Sequence, residues 1–358
     1  MNRIIKAIIF TSILTTSFPI KNLSQIELTT TREWKIGNNI NSVLFSPDGK
    51  VLVAVDNVFT IFYNLPDWVN YKKLNIPAPS LISKITFSVD GKYLAGGCDD
   101  GNIYIWDALK FESADPSSIN SNIKLSGPSE EITSLAFSPD GKCFVAGTLD
   151  GKINIWETSS WKSIKNITIH KGRVTDLAFR PDGSYLASSS SYEKFIRVWD
   201  VSTWNEKNKF FNEDKEYDEY DLTDFRNLCF SPDGKYLACA TFNGFRDIIS
   251  IWNMFWEGSI KSIHSIYITS ASDLKFSPDG EYLFIAGSNS VLAIFNTSGW
   301  EAVNAIKLEN DNPIRSISFS PDGNFISFAH GDKIFICSID PPLTPNKEKI
   351  PKPQPKRK

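Results

Sequence analysis

Acidic side chains are most concentrated in one short segment of the sequence, NEDKEYDEYDLTDF, at residues 212–225. Seven acids and one lysine give this segment a net charge of −6, in a chain whose total net charge is −3. Carboxylates at this density can attract a basic partner, hold a calcium ion or simply keep a loop solvated. The acids lack the regular alternation around a central glycine that is typical of a calcium loop. Recognition of a basic partner and a solvated spacer both stay open.

Other reactive groups are too scattered to predict a catalytic or metal centre. The three histidines, His170, His264 and His330, lie far apart in the sequence, which leaves little for a zinc site. A nucleophile elbow, a phosphate-binding glycine loop and a Cys-His pair are all missing from the sequence. The five widely spaced cysteines predict buried free thiols, and only Cys229 and Cys239, which flank one hairpin, could approach each other. We therefore predict a protein that is not an enzyme and needs no cofactor or metal.

A hexapeptide of the type FSPDGK organises the chain. It recurs seven times at intervals of 42 to 51 residues, starting at Phe45, Phe87, Phe137, Phe179, Phe230, Phe276 and Phe319. Proline presets the first corner of a turn, aspartate bonds the local backbone, and glycine accepts the positive φ that closes a hairpin. Val89 replaces the proline in the second copy. An alternating segment that ends in an aromatic and a polar residue follows most of the turns, as in IYIWD to Asp107 and IRVWD to Asp200, and this alternation predicts a strand. The copy in blade one, TIFYN to Asn64, is worn, and the last repeat has IFICS to Ser338.

Together these motifs resemble the WD-repeat (WD40-type) β-propeller family over residues 26–340. The resemblance implies an all-β fold, a seven-bladed β-propeller of four-stranded antiparallel blades. The last repeat stops at Asp340 before its outer strand, so we expect residues 26–36 to complete the seventh blade and close the ring. Members of the family often carry a histidine-centred hydrogen-bond set in each blade. Here only the fourth repeat matches, with His170 and Trp199, and we expect His170 to be structural.

The two ends of the chain differ from the repeats. Residues 1–25 have a basic start and a mostly apolar run from Ala7 to about Ile20, which predicts an export signal and a periplasmic or extracellular protein. A cytoplasmic protein with an unprocessed N-terminus is the alternative. Residues 341–358 are rich in proline and lysine and are predicted to be an extended, disordered tail. Contact with a membrane or envelope polymer, contact with the acidic loop of another copy, and simple solvation all stay open for this tail.

The repeat also predicts where the acidic segment lies. The hexapeptide turns lie on one face of the ring. The connections between blades and the turns between second and third strands lie on the other face. The acidic segment falls in the connection between blades four and five, beside the turn TFNGFRD at residues 241–247. Exposed aromatic side chains beside a group of side chains with the same charge are typical of a recognition surface. The predicted partner-binding residues are Glu213, Asp214, Glu216, Tyr217, Asp218, Glu219, Tyr220, Asp221, Phe242, Phe245 and Arg246.

The sequence thus favours a scaffold that binds a protein or peptide, with a basic partner suggested by the acids. Nucleic acid is not expected as the ligand, because the body of the chain is acidic and phosphate binding needs clustered lysine and arginine. Two alternatives stay open. One is a cytoplasmic assembly platform. The other is a hydrolase or lactonase propeller, which acids and amides converging on the central channel would indicate.

Overall fold

A computed structural model describes residues 26–36, 38–56, 60–64, 71–74, 80–111, 123–125, 130–211, 224–242, 247–254, 259–264, 268 and 270–345. In these residues 28 strands form seven four-stranded antiparallel sheets, with one short 3-10 turn at Ala108–Lys110. This confirms the prediction of an all-β propeller with four-stranded antiparallel blades. Over the same ranges, the chain has no helix of the length and apolarity that a bilayer crossing requires.

Six sheets, blades one to six, each use four consecutive strands. Blade one contains β2 (Ile40–Phe45), β3 (Val51–Asp56), β4 (Thr60–Asn64) and β5 (Tyr71–Leu74). Blade two contains β6 (Ile82–Phe87), β7 (Tyr93–Cys98), β8 (Ile103–Asp107) and β9 (Ile123–Leu125). Blade three contains β10 (Ile132–Phe137), β11 (Cys143–Thr148), β12 (Lys152–Glu157) and β13 (Ser163–Thr168).

The remaining blades follow the same order. Blade four contains β14 (Val174–Phe179), β15 (Tyr185–Ser190), β16 (Phe195–Asp200) and β17 (Asn205–Phe211). Blade five contains β18 (Asp224–Phe230), β19 (Tyr236–Phe242), β20 (Asp247–Asn253) and β21 (Ser259–His264). Blade six contains β22 (Ala271–Phe276), β23 (Tyr282–Gly287), β24 (Val291–Asn296) and β25 (Ala302–Lys307). Blade seven contains β26 (Ile314–Phe319), β27 (Phe325–His330), β28 (Lys333–Asp340) and β1 (Glu27–Lys35).

The N-terminal strand β1 completes blade seven. It pairs antiparallel with β28, from Glu27 opposite Asp340 to Lys35 opposite Lys333. Ile26 and Leu28 are buried in the core shared by blades six and seven. This confirms the prediction that residues 26–36 close the ring. The packed chain also continues past residue 340, where the sequence placed the boundary, because Leu343 is buried and its N–H donates to the carbonyl of Gly323 at 3.0 Å.

The first strands surround the axis of the ring. Each first strand contacts the first strand of the next blade, in the cycle β2, β6, β10, β14, β18, β22, β26 and back to β2. The inner edge of a first strand has no strand partner, so side chains of the preceding blade satisfy its N–H groups. Four such bonds are Leu177 N to Ser134 Oγ (3.0 Å), Leu228 N to Asp176 Oδ2 (2.7 Å), Ile317 N to Asp273 Oδ2 (2.8 Å) and Val43 N to Ser316 Oγ (3.2 Å).

The hexapeptide turns join neighbouring blades as well as neighbouring strands. Where the glycine of a turn would carry a Cβ, the proline ring of the preceding turn lies 3.5 to 3.8 Å away at five junctions. These pairs are Gly49 with Pro321, Gly91 with Pro47, Gly183 with Pro139, Gly234 with Pro181, and Gly280 with Pro232. The motif therefore links the blades around one face, which we call the turn face.

Apolar cores fill the spaces between adjacent blades. Between blades four and five, for example, Phe210 packs with Leu237 and the fully buried Trp252. All five cysteines are free; four are buried, as predicted, and Cys143 is half-buried. Burial raises the pKa of the Cys229 thiol to about 12, so it is uncharged at neutral pH. Aliphatic and aromatic packing thus forms most of each interface.

Gly147 of β11 tests how closely blades three and four pack. A Cβ on this residue would lie 2.5 Å from Val174 Cγ1, so Gly147→Ala must displace a buried side chain. We expect a loss of roughly 1–3 kcal/mol in the free energy of unfolding, measured by urea denaturation. The control is Gly299→Ala, whose new Cβ would meet its nearest atom at 3.5 Å and should change this free energy by less than about 0.5 kcal/mol. Equal midpoints for both variants would contradict the packing described.

Candidate functional site

The predicted binding residues lie outside the side chains that the structure describes. Residues 213–221, Phe245 and Arg246 belong to ranges outside the described residues, and of Phe242 only the main chain is described, at the end of β19. The strand ends that flank both segments are described. β17 ends and β18 begins, and β19 ends and β20 begins, at the face opposite the turn face. We call this second face the connection face.

On the connection face of blade four, one turn presents an aromatic side chain in an unusual conformation. Tyr192, between β15 and β16, has φ +65° and is 66% exposed. The corresponding turn of blade three uses a glycine, Gly151, at φ +80°. A left-handed conformation costs an ordinary L-residue roughly 1–2 kcal/mol, and bulky side chains rarely adopt it. Trp161, Trp204 and Trp300 also adopt positive φ, in the turns between the third and fourth strands of their blades, so this conformation recurs in the chain wherever the surroundings hold it.

A buried polar cluster holds this turn. The carboxylate of Glu193 accepts from His170 Nδ1 at 2.7 Å and from Arg197 Nη2 at 2.9 Å. The other ring nitrogen of His170 bonds Ser188 Oγ at 2.8 Å, and Trp199 Nε1 donates to the same oxygen at 2.9 Å. All five residues are buried. The prediction that His170 is structural is confirmed, with Glu193 as the acid of the set.

The charge of Glu193 is stabilised despite its burial. Burial opposes the ionised form, but hydrogen bonds from His170 and Arg197 outweigh it and lower the pKa of Glu193 to about 2. Arg197 also forms an ion pair with Glu206 of β17. The turn that carries Tyr192 is thereby tied to two other strands of its blade, β16 and β17.

Exposed apolar side chains surround the turn. Among the described residues, five of the eight most exposed large apolar side chains lie on the connection face, and four of them lie on blades three and four. These four, which we call the apolar platform, are Leu149 (42% exposed), Ile169 (44%), Tyr192 (66%) and Phe211 (52%). Single exposed apolar residues are ordinary, whereas a group on one face is typical of an interaction site.

The main-chain segments that carry the platform touch each other. A Cβ on Gly172 would lie 2.7 Å from Tyr192 Cδ2, and a Cβ on Gly151 would lie 2.7 Å from the carbonyl oxygen of Gly172. The turn with Leu149, the connection with Ile169 and the turn with Tyr192 are therefore adjacent. Phe211 joins them through Phe195, because the two rings are 5.2 Å apart.

Charged side chains border the platform. Lys171, Arg173 and Lys194 are exposed on the same connection and turn of blade four. Phe211 is directly followed by the predicted acidic segment. Among the described residues, the surface thus has an apolar centre with cations beside it on blade four. An apolar centre with a charged rim is the usual anatomy of a protein interface.

The polar groups nearest the axis are engaged in joining blades. Asp273 accepts from Ile317 N and lies 3.5 Å from Lys275 Nζ, and its charge raises the pKa of Lys275. Asn227 Nδ2 donates to the carbonyl of Ala271 at 3.2 Å. Across the described ranges, no three His, Cys, Asp or Glu residues cluster in a way that could hold a metal ion. Asp273 and Asn227 therefore each bond a main-chain group of the next blade.

Sequence reasoning missed the apolar platform, although one signal was present. The turns at residues 99–102 and 149–152 read DDGN and LDGK, whereas residues 191–195 read SYEKF. An aromatic and a glutamate where blades two and three have aspartate and glycine mark a turn of different composition. The role of Glu193 as the acid of the hydrogen-bond set could also be predicted from its spacing. It lies six residues before Trp199, as Asp100 lies six residues before Trp106.

Two family models match this chain. The model described as "WD domain, G-beta repeat" matches residues 72–107, 120–157 and 161–200, which include Leu149, Ile169 and Tyr192. The model described as "Eukaryotic translation initiation factor eIF2A" matches residues 201–299. The second match spans the last strand of blade four, the acidic segment, blade five and the first three strands of blade six.

Several curated proteins are similar over part of this chain. Protein HIR1 of Candida albicans is 25% identical over 189 residues, which are 49% of this chain and 18% of that protein. WD repeat-containing protein SL1-17 of Schistosoma mansoni is 28% identical over 181 residues, 49% of this chain and 53% of that protein. WD repeat-containing protein 75 of Xenopus laevis is 38% identical over 87 residues, 24% of this chain and 9% of that protein. The match with the HIR1 protein covers about a fifth of its length.

These relatives correct the predicted localisation. Matches to protein HIR1 of several fungi contradict the prediction of a periplasmic or extracellular protein, which is therefore wrong. That prediction depended on a short apolar run in residues 1–25, which lie outside the described residues. The run contains several serines and threonines and is followed by no A-x-A site, so its composition discriminates weakly between an export signal and other N-termini.

The lowered pKa of Glu193 predicts acid-sensitive stability. Because its pKa is depressed on folding, the ionised Glu193 stabilises the fold fully above its unfolded value of about 4.3, and this stabilisation is lost as the pH falls toward 2. Glu193→Gln should cost roughly 3 kcal/mol at pH 7, and this difference from wild type should shrink between pH 4.5 and pH 2. Urea denaturation across this pH range measures both. Glu309→Gln, at an exposed glutamate, serves as the control. A pH-independent difference at Glu193 would contradict the buried ion cluster.

Proposed function

Since this chain is a WD-repeat β-propeller protein, we propose that it is a non-enzymatic scaffold that binds a protein or peptide through its connection face. WD-repeat domains bind proteins and are typically not enzymes. Seven sheets whose first strands contact in a closed cycle support a single seven-bladed ring as the rigid base. The observation that carries the proposal is Tyr192, an exposed ring held at positive φ by a buried charged cluster.

Tyr192 has the properties of a binding anchor. Tyrosine is enriched among the residues that dominate interface energies, and it offers a large contact area with few rotatable bonds. The ion cluster under the turn fixes the main chain before any partner arrives, so less conformational entropy is lost on binding. Leu149, Ile169 and Phe211 extend the apolar contact around it. The centre of the interface is therefore placed on blades three and four.

The acidic segment extends this surface toward blade five. Phe211 ends β17 directly before the segment, so acids at residues 213–221, with the aromatics and arginine predicted beside them, continue from the platform. A partner would then place an apolar group over Tyr192 and cations toward residues 213–221. On the other side of the platform, the exposed Lys171 and Lys194 would repel cationic groups of the partner. Charges of both signs would thus set the orientation of the partner more than its affinity.

The relatives favour an assembly platform inside the cell as the setting for this activity. The hydrolase or lactonase alternative has less support. The acids and amides described at the axis bond main-chain groups of neighbouring blades, as Asp176 bonds Leu228 N, and this use explains their positions. A contact between the C-terminal tail and a membrane stays a prediction.

The direct test compares proteins captured by cross-linking and affinity purification from native cells. Tyr192→Gly removes the ring while giving the turn the residue best suited to positive φ, so stability should be equal or up to about 1 kcal/mol higher. We expect recovery of the specific partner to fall at least tenfold, about 1.4 kcal/mol. The matched control is Ile164→Ala, an exposed residue on the outer strand β13, which should recover the partner within twofold of wild type. Undiminished recovery with Tyr192→Gly would contradict the proposed site.

A second arm changes the acids at residues 213–221 to serine and asparagine. If they contact the partner, recovery should fall and the remaining binding should depend less on salt concentration, because fewer charges are involved. Unchanged recovery and salt dependence would identify the segment as a solvated spacer, with Tyr192 still tested by the first arm.

A further inference from the structure

The second strand of blade seven ends, at the connection face, in a buried histidine. His330 is 3% exposed, and its Nε2 atom is buried without a hydrogen-bond partner among the described residues. Blade four has Ser190 at the same position of its second strand, and Ser190 Oγ donates to the carbonyl of Gly172 at 3.0 Å. Blade seven therefore places an imidazole, which can take up a proton, where blade four has a small hydroxyl group.

The connection between blades six and seven packs against His330. The carbonyl groups of Asn310 and Asn312 face the imidazole within hydrogen-bonding range. Ser290 Oγ of blade six lies 2.7 and 2.5 Å from the same two carbonyl oxygens. The turn after His330 also contacts this connection, because a Cβ on Gly331 would lie 2.9 Å from Asn312 Nδ2. The connection is thus held from one side by blade six and from the other by His330 and its turn.

The same turn holds the chain that leaves the closing strand β1. The carbonyl of Asp332 accepts from Ile36 N, and the carbonyl of Gly331 accepts from Ile40 N, both at 2.9 Å. Ile36 and Ile40 bound the link from β1 to β2. The turn that follows His330 is therefore bonded to the link by which the closing strand enters blade one.

The surroundings of His330 favour its neutral form. Burial lowers the pKa of His330 below its ordinary value of 6.5, and hydrogen bonding to the carbonyl groups of Asn310 and Asn312 opposes this shift only in part. The positive charges of Lys333, on β28, and Lys307, on β25, lower this pKa further. The imidazole therefore binds a proton more readily when the segments around it open.

The other elements around His330 carry further charged groups. Arg315 of β26 adds an exposed cation, and Glu309 of the connection is exposed to solvent. Four other acids each pair with a cation or accept a hydrogen bond, so they offer little stabilisation to a protonated imidazole. These pairs are Asp311 with Lys307, Asp332 with Lys35, Glu33 with Lys333, and Asp56 with Asn38.

We propose that His330 is a pH-sensitive switch of ring closure: its protonation in mildly acidic solution releases the connection from blade six and the link from β1. This switch goes beyond the proposed function and does not depend on the apolar platform. Closure should be independent of pH above about pH 7. It should weaken as the pH falls below about 6.5, because the open state then takes up a proton that the closed state resists. One proton raises the population of the open state by up to about tenfold for each pH unit.

The test measures hydrogen exchange by mass spectrometry at pH 7.5, 6.5 and 5.5, with correction for the intrinsic pH dependence of exchange. It compares wild type with His330→Gln, which keeps a hydrogen-bonding group but cannot take up a proton in this range. In wild type, protection of residues 34–40 and 306–312 should fall at least threefold from pH 6.5 to pH 5.5. In His330→Gln it should change by less than twofold.

Two outcomes of this experiment would overturn the proposal. An equal loss of protection in His330→Gln would assign the pH dependence to other groups. A loss confined to residues 306–312, with residues 34–40 unchanged, would show that His330 does not control the link from β1. If His330→Gln does not fold, His330→Ser replaces it, since serine is the residue that blade four has at this position.

A second measurement follows the proton itself. The full chain contains three histidines, so labelling with ¹³C-histidine gives three ring signals, and the one lost in His330→Gln belongs to His330. Its midpoint should lie below pH 6.5. A midpoint at or above pH 6.5 would overturn the proposal, because protonation would then stabilise the closed blade. Tyr192→Gly should show the pH dependence of wild type, so failure here and failure of the proposed binding site can be distinguished.

Discussion

The structure depends on the pairing of β1 with β28. A single four-stranded blade cannot bury both of its faces, so each blade is stable only between two others, and a row of blades must close into a ring. Closure at blade seven joins the first described strand to the last, from Glu27 opposite Asp340 to Lys35 opposite Lys333. Two further sets of contacts then repeat around the ring. Side chains such as Asp176 bond the next first strand, and prolines such as Pro47 cover the next glycine.

This closed frame makes the turn of blade four possible. Tyr192 keeps a costly main-chain conformation because Glu193, His170 and Arg197 fix the turn from below. That cluster is stable only when it is excluded from water, since a buried ion that loses its partners is strongly destabilising. Trp199, which bonds Ser188 of the cluster, lies in the core shared by blades three and four, so the burial of the cluster depends on blade three staying packed. The position of the exposed Tyr192 side chain therefore depends on the packed propeller. The proposed interface is rigid for the same reason.

Local features were predictable from the sequence, and contacts between repeats were not. The hexapeptides predicted hairpin turns because proline, aspartate and glycine act on their own backbone. Residues 26–36 were predicted to close the ring because the last repeat lacked a strand. The contact of Pro47 with Gly91 joins residues in different repeats, and no local pattern reveals it. The segment SYEKF marked an unusual turn, but the left-handed conformation of Tyr192 was not predictable from it, because contacts of Glu193 with residues distant in sequence hold this turn. Export was wrongly predicted because short apolar runs occur in many N-termini.

The central claim is that closure by β1 supports the turn of blade four, and hydrogen exchange tests it most directly. Leu28→Ala weakens the buried contact of β1 and should cost roughly 2–5 kcal/mol. Exchange measured by mass spectrometry would follow residues 26–36 and residues 188–199 in wild type and variant. We predict that both segments lose protection by the same factor, because the ring opens as one unit. Faster exchange in residues 26–36 alone, with unchanged protection in residues 188–199, would contradict this claim.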